Sequence, residues 1–334
     1  MTQKHTDIDT AATRLDRTDP EGAIAVAARR NRNWGRWGTD DVRGTMNFLT
    51  DERRAAAAAL VRRGASFSLS QSFDMDGPQK GWRRRTNPVH TMLDTGTDAA
   101  AGIQGFPHGL GGADDVVSMP LQCSTQWDGL GHIFDHGMAW NGRPAQNVVT
   151  SSGDQITGIE TIADVVAGRG VLLDVGRHLS GDGELPDGFA ITTEHLRSTI
   201  EAQGLTSAVG AGDLVLVRTG QLSRVRRDGW GDYAGGAAPG LSFTTADWLH
   251  DTEIAAIATD TWGFEVRPNE FDVAFQPLHQ VAIPNIGLFL GEMWDLDALA
   301  VDCAEDRVYE FFLTASPIPV TGAVGAPVNP IAVK

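Results

Sequence analysis

Four short apolar runs in the second half of the chain constrain its fold most: Val171-Leu172-Leu173-Asp174-Val175, the run from Asp213 to Arg218, Ile254 to Ala258 and Ile286 to Leu290. Each has the length of a strand rather than a helix, and their near-continuous hydrophobicity suits strands buried on both faces. Helical patterns lie between them. One runs from Thr193 to Gln203 and is stopped by Gly204; another follows a cap at Thr244 or Thr245 and ends at His250. Strands alternating with helices predict an α/β, mixed α+β domain built on a largely buried sheet. Smaller signals fit the same plan. Asp51 to about Arg63 reads as a helix capped by Thr50, and Ser66 to Ser72 alternates as a half-buried strand does. Ile162–Val166 and Asp295–Ala300 read as short helices, and Val308–Ala315 as a late strand.

Composition narrows the function. The formal net charge is −16, which repels phosphate backbones and disfavours a nucleic-acid partner. Arg83-Arg84-Arg85 is too short a basic run to reverse that field. Two cysteines, Cys123 and Cys303, supply no disulfide framework and no paired metal knuckle. The first twenty residues are polar and no long apolar run occurs, so the expectation is a cytoplasmic protein with no membrane partner. Residues 1–20 read as a flexible arm and 21–334 as one catalytic domain.

The chemistry-bearing residues concentrate in Gln122-Cys-Ser-Thr-Gln126-Trp127-Asp128-Gly-Leu-Gly-His132-Ile-Phe-Asp135-His136. Polar groups this dense beside apolar neighbours predict a partly buried polar site, which needs partners such as a substrate or a metal ion. A polar loop whose histidines cap carbonyls is the plainer alternative. The Gly- and Pro-rich stretch from Asp76 to Met119 reads as long loops with short strands, of the kind that line sites. Asp260 sits at the end of an apolar strand, where α/β folds place ligands. His279 follows, and then Glu292, a carboxylate directly after an apolar run that must be paired, hydrogen-bonded or metal-bound. Nine tryptophans offer walls for an aromatic pocket, Trp82 and Trp127 among them, although each could equally be core. No GxSxG elbow, phosphate-binding loop, dinucleotide fingerprint or HExxH occurs.

These residues resemble the cyclase superfamily that includes bacterial kynurenine formamidase and isatin hydrolase. Its signature is HxGTHxDxPxH. Here Thr125, Asp128 and His132 match, while Gln122 and Gln126 stand in place of the two earlier histidines. Trp37-Gly…Asp41…Gly44-Thr-Met-Asn47, Gly168 to Asp174, Gly212 to Gly220 and Ala258-Thr-Asp-Thr261 resemble further blocks, so that the likeness runs from Trp34 to Leu299.

The resemblance implies a swivelling β/β/α fold and a homodimer or homotetramer. It implies a metal-dependent hydrolase that attacks an amide, cyclic amide or lactone carbonyl of a small aromatic or cyclic substrate. By position, Gln122, Gln126, Asp128, His279 and Glu292 would hold the metal, and His132 would be the general acid/base, assisted by Asp128. Trp82, Trp127, His136, Asn47 and Asp260 would face substrate. Replacing imidazoles by amides favours manganese over zinc, since carboxamide oxygen is a harder donor. It also keeps open a metal-independent cyclase or isomerase that uses His132 with the Gln122 and Gln126 amides, and a binding protein that has kept the fold without catalysis.

Overall fold

A computed structural model describes residues 15–334 of the chain. In chain order its principal strands are β1 (Ser66–Ser68), β2 (Val89–Asp94), β3 (Asp114–Ser118), β4 (Gln126–Asp128), β5 (Ala167–Asp174), β6 (Leu214–Arg218), β7 (Ala256–Thr259), β8 (Phe289–Glu292), β9 (Glu310–Thr314), β10 (Gly325–Pro327) and β11 (Ile331–Val333). Nine of them form one sheet in the order β1-β11-β9-β5-β6-β7-β8-β4-β10. The centre, β5 to β8, is parallel, and every pairing outside it is antiparallel.

The parallel centre follows from the apolar runs. Every residue of β6 and β7 is buried, and the helices Asp51–Ala58 and Thr193–Gln203 pack against β5. Thr192 caps the second of these helices by accepting from the His195 N–H, and Gly204, in the left-handed region, ends it. The Arg169 guanidinium reaches Glu310 at 3.1 Å and Asp213 at 2.7 Å, tying β5 to β9 and to the entry of β6.

Several boundaries differ from the sequence expectation. The helix begun by Thr50 ends at Ala58 rather than near Arg63, because the chain turns to meet the last strand, where the Arg63 and Gly64 amides donate to the Lys334 carbonyl. Ile286 closes a π-helical turn, Ala282–Ile286, and the strand expected over Ile286–Leu290 begins only at Phe289. Gly287 makes the turn between them at φ 79°, and a Cβ there would strike the Trp140 ring at 2.5 Å. The loop-rich stretch holds a hairpin, β2–β3, that stands off the main sheet and is exposed along both strands. Of the arm expected over residues 1–20, residues 1–14 lie outside the described residues. Leu15 packs against the core, and a helix the sequence reading missed begins at Pro20, capped by Asp19. No helix among the described residues is long and apolar enough to cross a membrane.

The contact that matters for function is between β4 and β8. Gly291 lies opposite Trp127, and a Cβ at 291 would meet Ala258 Cβ at 2.4 Å, Trp294 Nε1 at 2.7 Å and the Trp127 ring at 3.0 Å. Glycine is what lets β8 pack there between β7 and β4. Gly291→Ala should therefore destabilise the protein by about 1–3 kcal/mol, as overpacking does, read as a lower urea midpoint at unchanged slope.

Candidate active site

Antiparallel register places Glu292 directly opposite Gln126 and Leu290 opposite Asp128. Side chains alternate along a strand, so Gln126, Asp128 and Glu292 share one face, and Trp127 takes the other. Trp127, expected at the substrate, is accordingly core: it meets Trp294 edge-on at 4.8 Å, and its indole N–H donates to the Ala315 carbonyl.

The shared face carries a cluster of buried polar groups. The Gln126 amide nitrogen donates to Asp128 at 3.2 Å and to Glu292 at 3.0 Å. His279, on the helical turn Pro277–Val281, brings its Nε2 to 3.2 Å from Glu292. Single ligand atoms of Asp128, His279 and Glu292 lie within 4.8 Å of one another. His132 stands at the rim with its Nε2 3.7 Å from Asp128.

His279 is held from behind by Glu265, a residue that sequence reasoning missed. The Glu265 carboxylate accepts from His279 Nδ1 at 2.5 Å and from the backbone amides of Leu278 and His279 at the start of the turn. This leaves Nε2 as the atom that faces the cluster, in the manner of histidines oriented for a metal. Two residues beside the carboxylates, Phe264 and Met293, are fully buried at φ 57° and 59°. Such backbone costs about 1–3 kcal/mol each and persists where the surroundings over-determine it. Met293 is held by its carbonyl, which accepts from Gln71 and from the Thr125 hydroxyl.

The electrostatics follow from burial. Desolvation and the nearby Asp128 push the Glu292 carboxyl up, against the pull of His279. Desolvation works against charge on His279 too, but its hydrogen bonds to Glu265 and Glu292 prevail and raise its pKa. Desolvation lowers the pKa of His132, opposed by Asp128, so its imidazole is neutral at pH 7.

Two carboxylates this close in a dry site require a proton or a cation between them. The donor set fits a divalent ion: two carboxylates, an inward-facing imidazole nitrogen, and the Gln126 amide oxygen, a buried acceptor with no partner of its own. A half-turn of that amide exchanges its NH₂ for the oxygen. Asp128, His279, Glu292 and Gln126 could thus hold the metal. Gln122 lies beside Gly325, the register partner of Asp128, its amide nitrogen 3.0 Å from where a Cβ on Gly325 would sit.

The remaining expected residues are held by other contacts. Asn47 donates to Asp41 and to the Gly44 carbonyl, fixing its own loop. Asp260 accepts from the Thr219 and Gly220 amides and the Thr219 hydroxyl, joining the ends of β6 and β7. His136 is exposed beside Asp135, on a surface cavity of about 440 Å³ shared with Phe275 and Gln280. Trp82 stands in an aromatic group with Trp262 and Phe275.

Residues 67–266 match the Cyclase family. Among solved structures, one described as a novel cyclase superposes with TM-score 0.82 at 38% identity, covering 91% of this chain and 99% of that one. Isatin hydrolase A from Ralstonia solanacearum gives TM-score 0.59 at 16% identity over 85% of this chain and 98% of that one. Isatin hydrolase A from Labrenzia aggregata, bound to benzyl benzoate, gives 0.56 at 17% over 83% and 94%. At such identities the two hydrolases establish a shared fold. No curated protein matches the sequence.

Metal analysis of protein exposed to Mn²⁺ and then desalted should show an ion in the wild type. Glu292→Gln should lose it while keeping its circular dichroism. Gln126→His should bind Zn²⁺ more tightly than the wild type does, since it restores a softer nitrogen donor.

Proposed function

Because the chain belongs to the cyclase family, we propose that it is a metal-dependent hydrolase that opens an amide, cyclic amide or lactone of a small cyclic substrate. One observation carries this reading: Asp128, Glu292 and His279 converge, buried, around a single point from distant parts of the chain. A divalent ion, manganese before zinc given this oxygen-rich set, supplies Lewis acidity to the scissile carbonyl and to the attacking water.

The protein's own groups do the rest. Neutral His132 accepts the water's proton on Nε2, and the Asp128 carboxylate 3.7 Å away stabilises the imidazolium that forms. As the water oxygen bonds to the carbonyl carbon, the bond from that carbon to nitrogen or oxygen breaks. The leaving atom takes the proton back from His132. Glu265 keeps His279 in one orientation throughout.

A second reading has its own support. With His279 protonated between Glu265 and Glu292, the carboxylates are satisfied without a cation, and His132 could serve a metal-independent cyclisation or isomerisation. Exhaustive chelation separates the two: lost turnover, restored by Mn²⁺, supports the hydrolase, and full turnover supports the cyclase. On N-formyl aromatic amines, isatin-like lactams and lactones, His132→Ala should lower kcat by about 10²–10⁴-fold. Unchanged kcat would remove His132 from the mechanism.

We further propose that the protein is a homo-oligomer, dimer or tetramer, and acts in the cytoplasm. The β2–β3 hairpin supports the assembly. It exposes Leu93, Val116 and Val117 along its strands and Phe106 in the connection between them, and a lone two-stranded ribbon is marginal in water without a further surface to pack on. Light scattering should give a multiple of the 35.7 kDa chain mass. The double substitution Leu93→Asp and Val117→Asp should shift it toward the single chain.

A further inference from the structure

The basic run dismissed at the level of sequence acquires a place in the fold. Arg85 is only 9% exposed, yet among the described residues no carboxylate lies within salt-bridge reach of it, and its side chain donates no hydrogen bond. Its guanidinium nitrogens keep contact with solvent, so a charge without a protein partner stays open to approach while the stem is buried. Its carbon lies 5.4 Å from the centroid of the Trp262 ring. Arg267 approaches the same indole at 5.7 Å, and stands 5.5 Å from Trp82 and 5.6 Å from Phe275. It donates to the Gly235 carbonyl with one terminal nitrogen, while the other is buried with no partner. Trp262, 2% exposed, likewise has an indole N–H without an acceptor.

These donors adjoin the cluster. Met293, next in the chain after Glu292, packs in one apolar group with Trp262 and Trp82. The Arg85 charge acts on Glu292 and His132, and the Arg267 charge on Glu265 and Glu292. Neither arginine closes an ion pair with these carboxylates, so the Arg85 fork and one terminal nitrogen of Arg267 have no acceptor in the protein.

We propose that Arg85, Arg267 and the Trp262 N–H form an anion-recognising subsite beside the Asp128–His279–Glu292 cluster, and that its ligand is an aromatic carboxylate. A guanidinium fork matches a planar carboxylate in two parallel hydrogen bonds. Trp82 meets Trp262 edge-on and stacks on Phe275, so the three rings give an angled apolar corner to the body of such a ligand and, by excluding water, strengthen the charge pairing. A phosphate would bring a second negative charge toward Glu292, which favours the singly charged carboxylate. The subsite rests on reading the cluster as the reaction centre and adds to it the charge and shape of the substrate.

Calorimetric titration with benzoate, and with benzamide as its uncharged counterpart, tests the proposal on protein as purified and after chelation. Benzoate should bind in both preparations, and benzamide at least tenfold more weakly. Arg85→Gln and Arg267→Gln should each weaken benzoate by about 10- to 100-fold, at unchanged manganese content. Benzoate affinity that is unaltered by both substitutions, equalled by benzamide, or abolished by chelation would overturn the subsite. Because chelated protein is included, loss of the hydrolase reading leaves this result interpretable. Should the variants fail to fold, wild-type crystals grown with 4-bromobenzoate decide it. A carboxylate on Arg85 or Arg267 supports the subsite, and one bound anywhere else overturns it.

Discussion

Pairing of the short strand Gln126–Asp128 against Phe289–Glu292 is the constraint on which the site depends. It brings one glutamine and two carboxylates to one face of a sheet whose outer surroundings are dry. Register is discrete here. A slip of one residue would turn Trp127 into the site and send Gln126 and Asp128 into the core. Gly291 and the Trp127–Trp294 contact guard against that slip by packing the opposite face closely. The polar face is thus specified by the apolar fit behind it.

The charge balance has two ways of being met. Without a cation, His279 carries a proton and bridges Glu265 and Glu292 while Gln126 bridges Glu292 and Asp128. With one, the imidazole would give up that proton, and the amide could offer its oxygen. Glutamine in place of an imidazole serves both conditions because its two ends are a donor and an acceptor of nearly equal size. A histidine at 126 would commit the site to nitrogen ligation.

Much of this was legible in the chain itself, for physical reasons that differ by element. Buried parallel strands announce themselves as short apolar runs, so β6 and β7 were recoverable to within a residue or two, while β5 starts four residues before its apolar run because Ala167-Gly168-Arg169-Gly170 carries no apolar signal; Thr193–Gln203 carried its glycine stop. Glu292 stood out because a carboxylate directly after an apolar run needs a partner, and Asp128 because it sits in the densest polar stretch of the chain. The strand from Phe289 was misplaced since Ile286 is as apolar as a strand residue, and only Trp140 packing on Gly287 shows where the chain turns. Trp127 looked like a pocket wall because Gln126-Trp127-Asp128 gives no sign of period two over three residues. Glu265, Arg85 and Arg267 were missed for a different reason. Their roles depend on what lies behind His279 and around Trp262, which is tertiary information with no local pattern.

The central claim is that Asp128, His279 and Glu292 bind one cation at a common point. Anomalous diffraction at the manganese absorption edge, from crystals of manganese-loaded protein, tests it most directly. One strong peak within coordinating distance of all three side chains is the predicted result. A fully loaded protein whose only peaks lie elsewhere, with the three residues still hydrogen-bonded to one another, would contradict it.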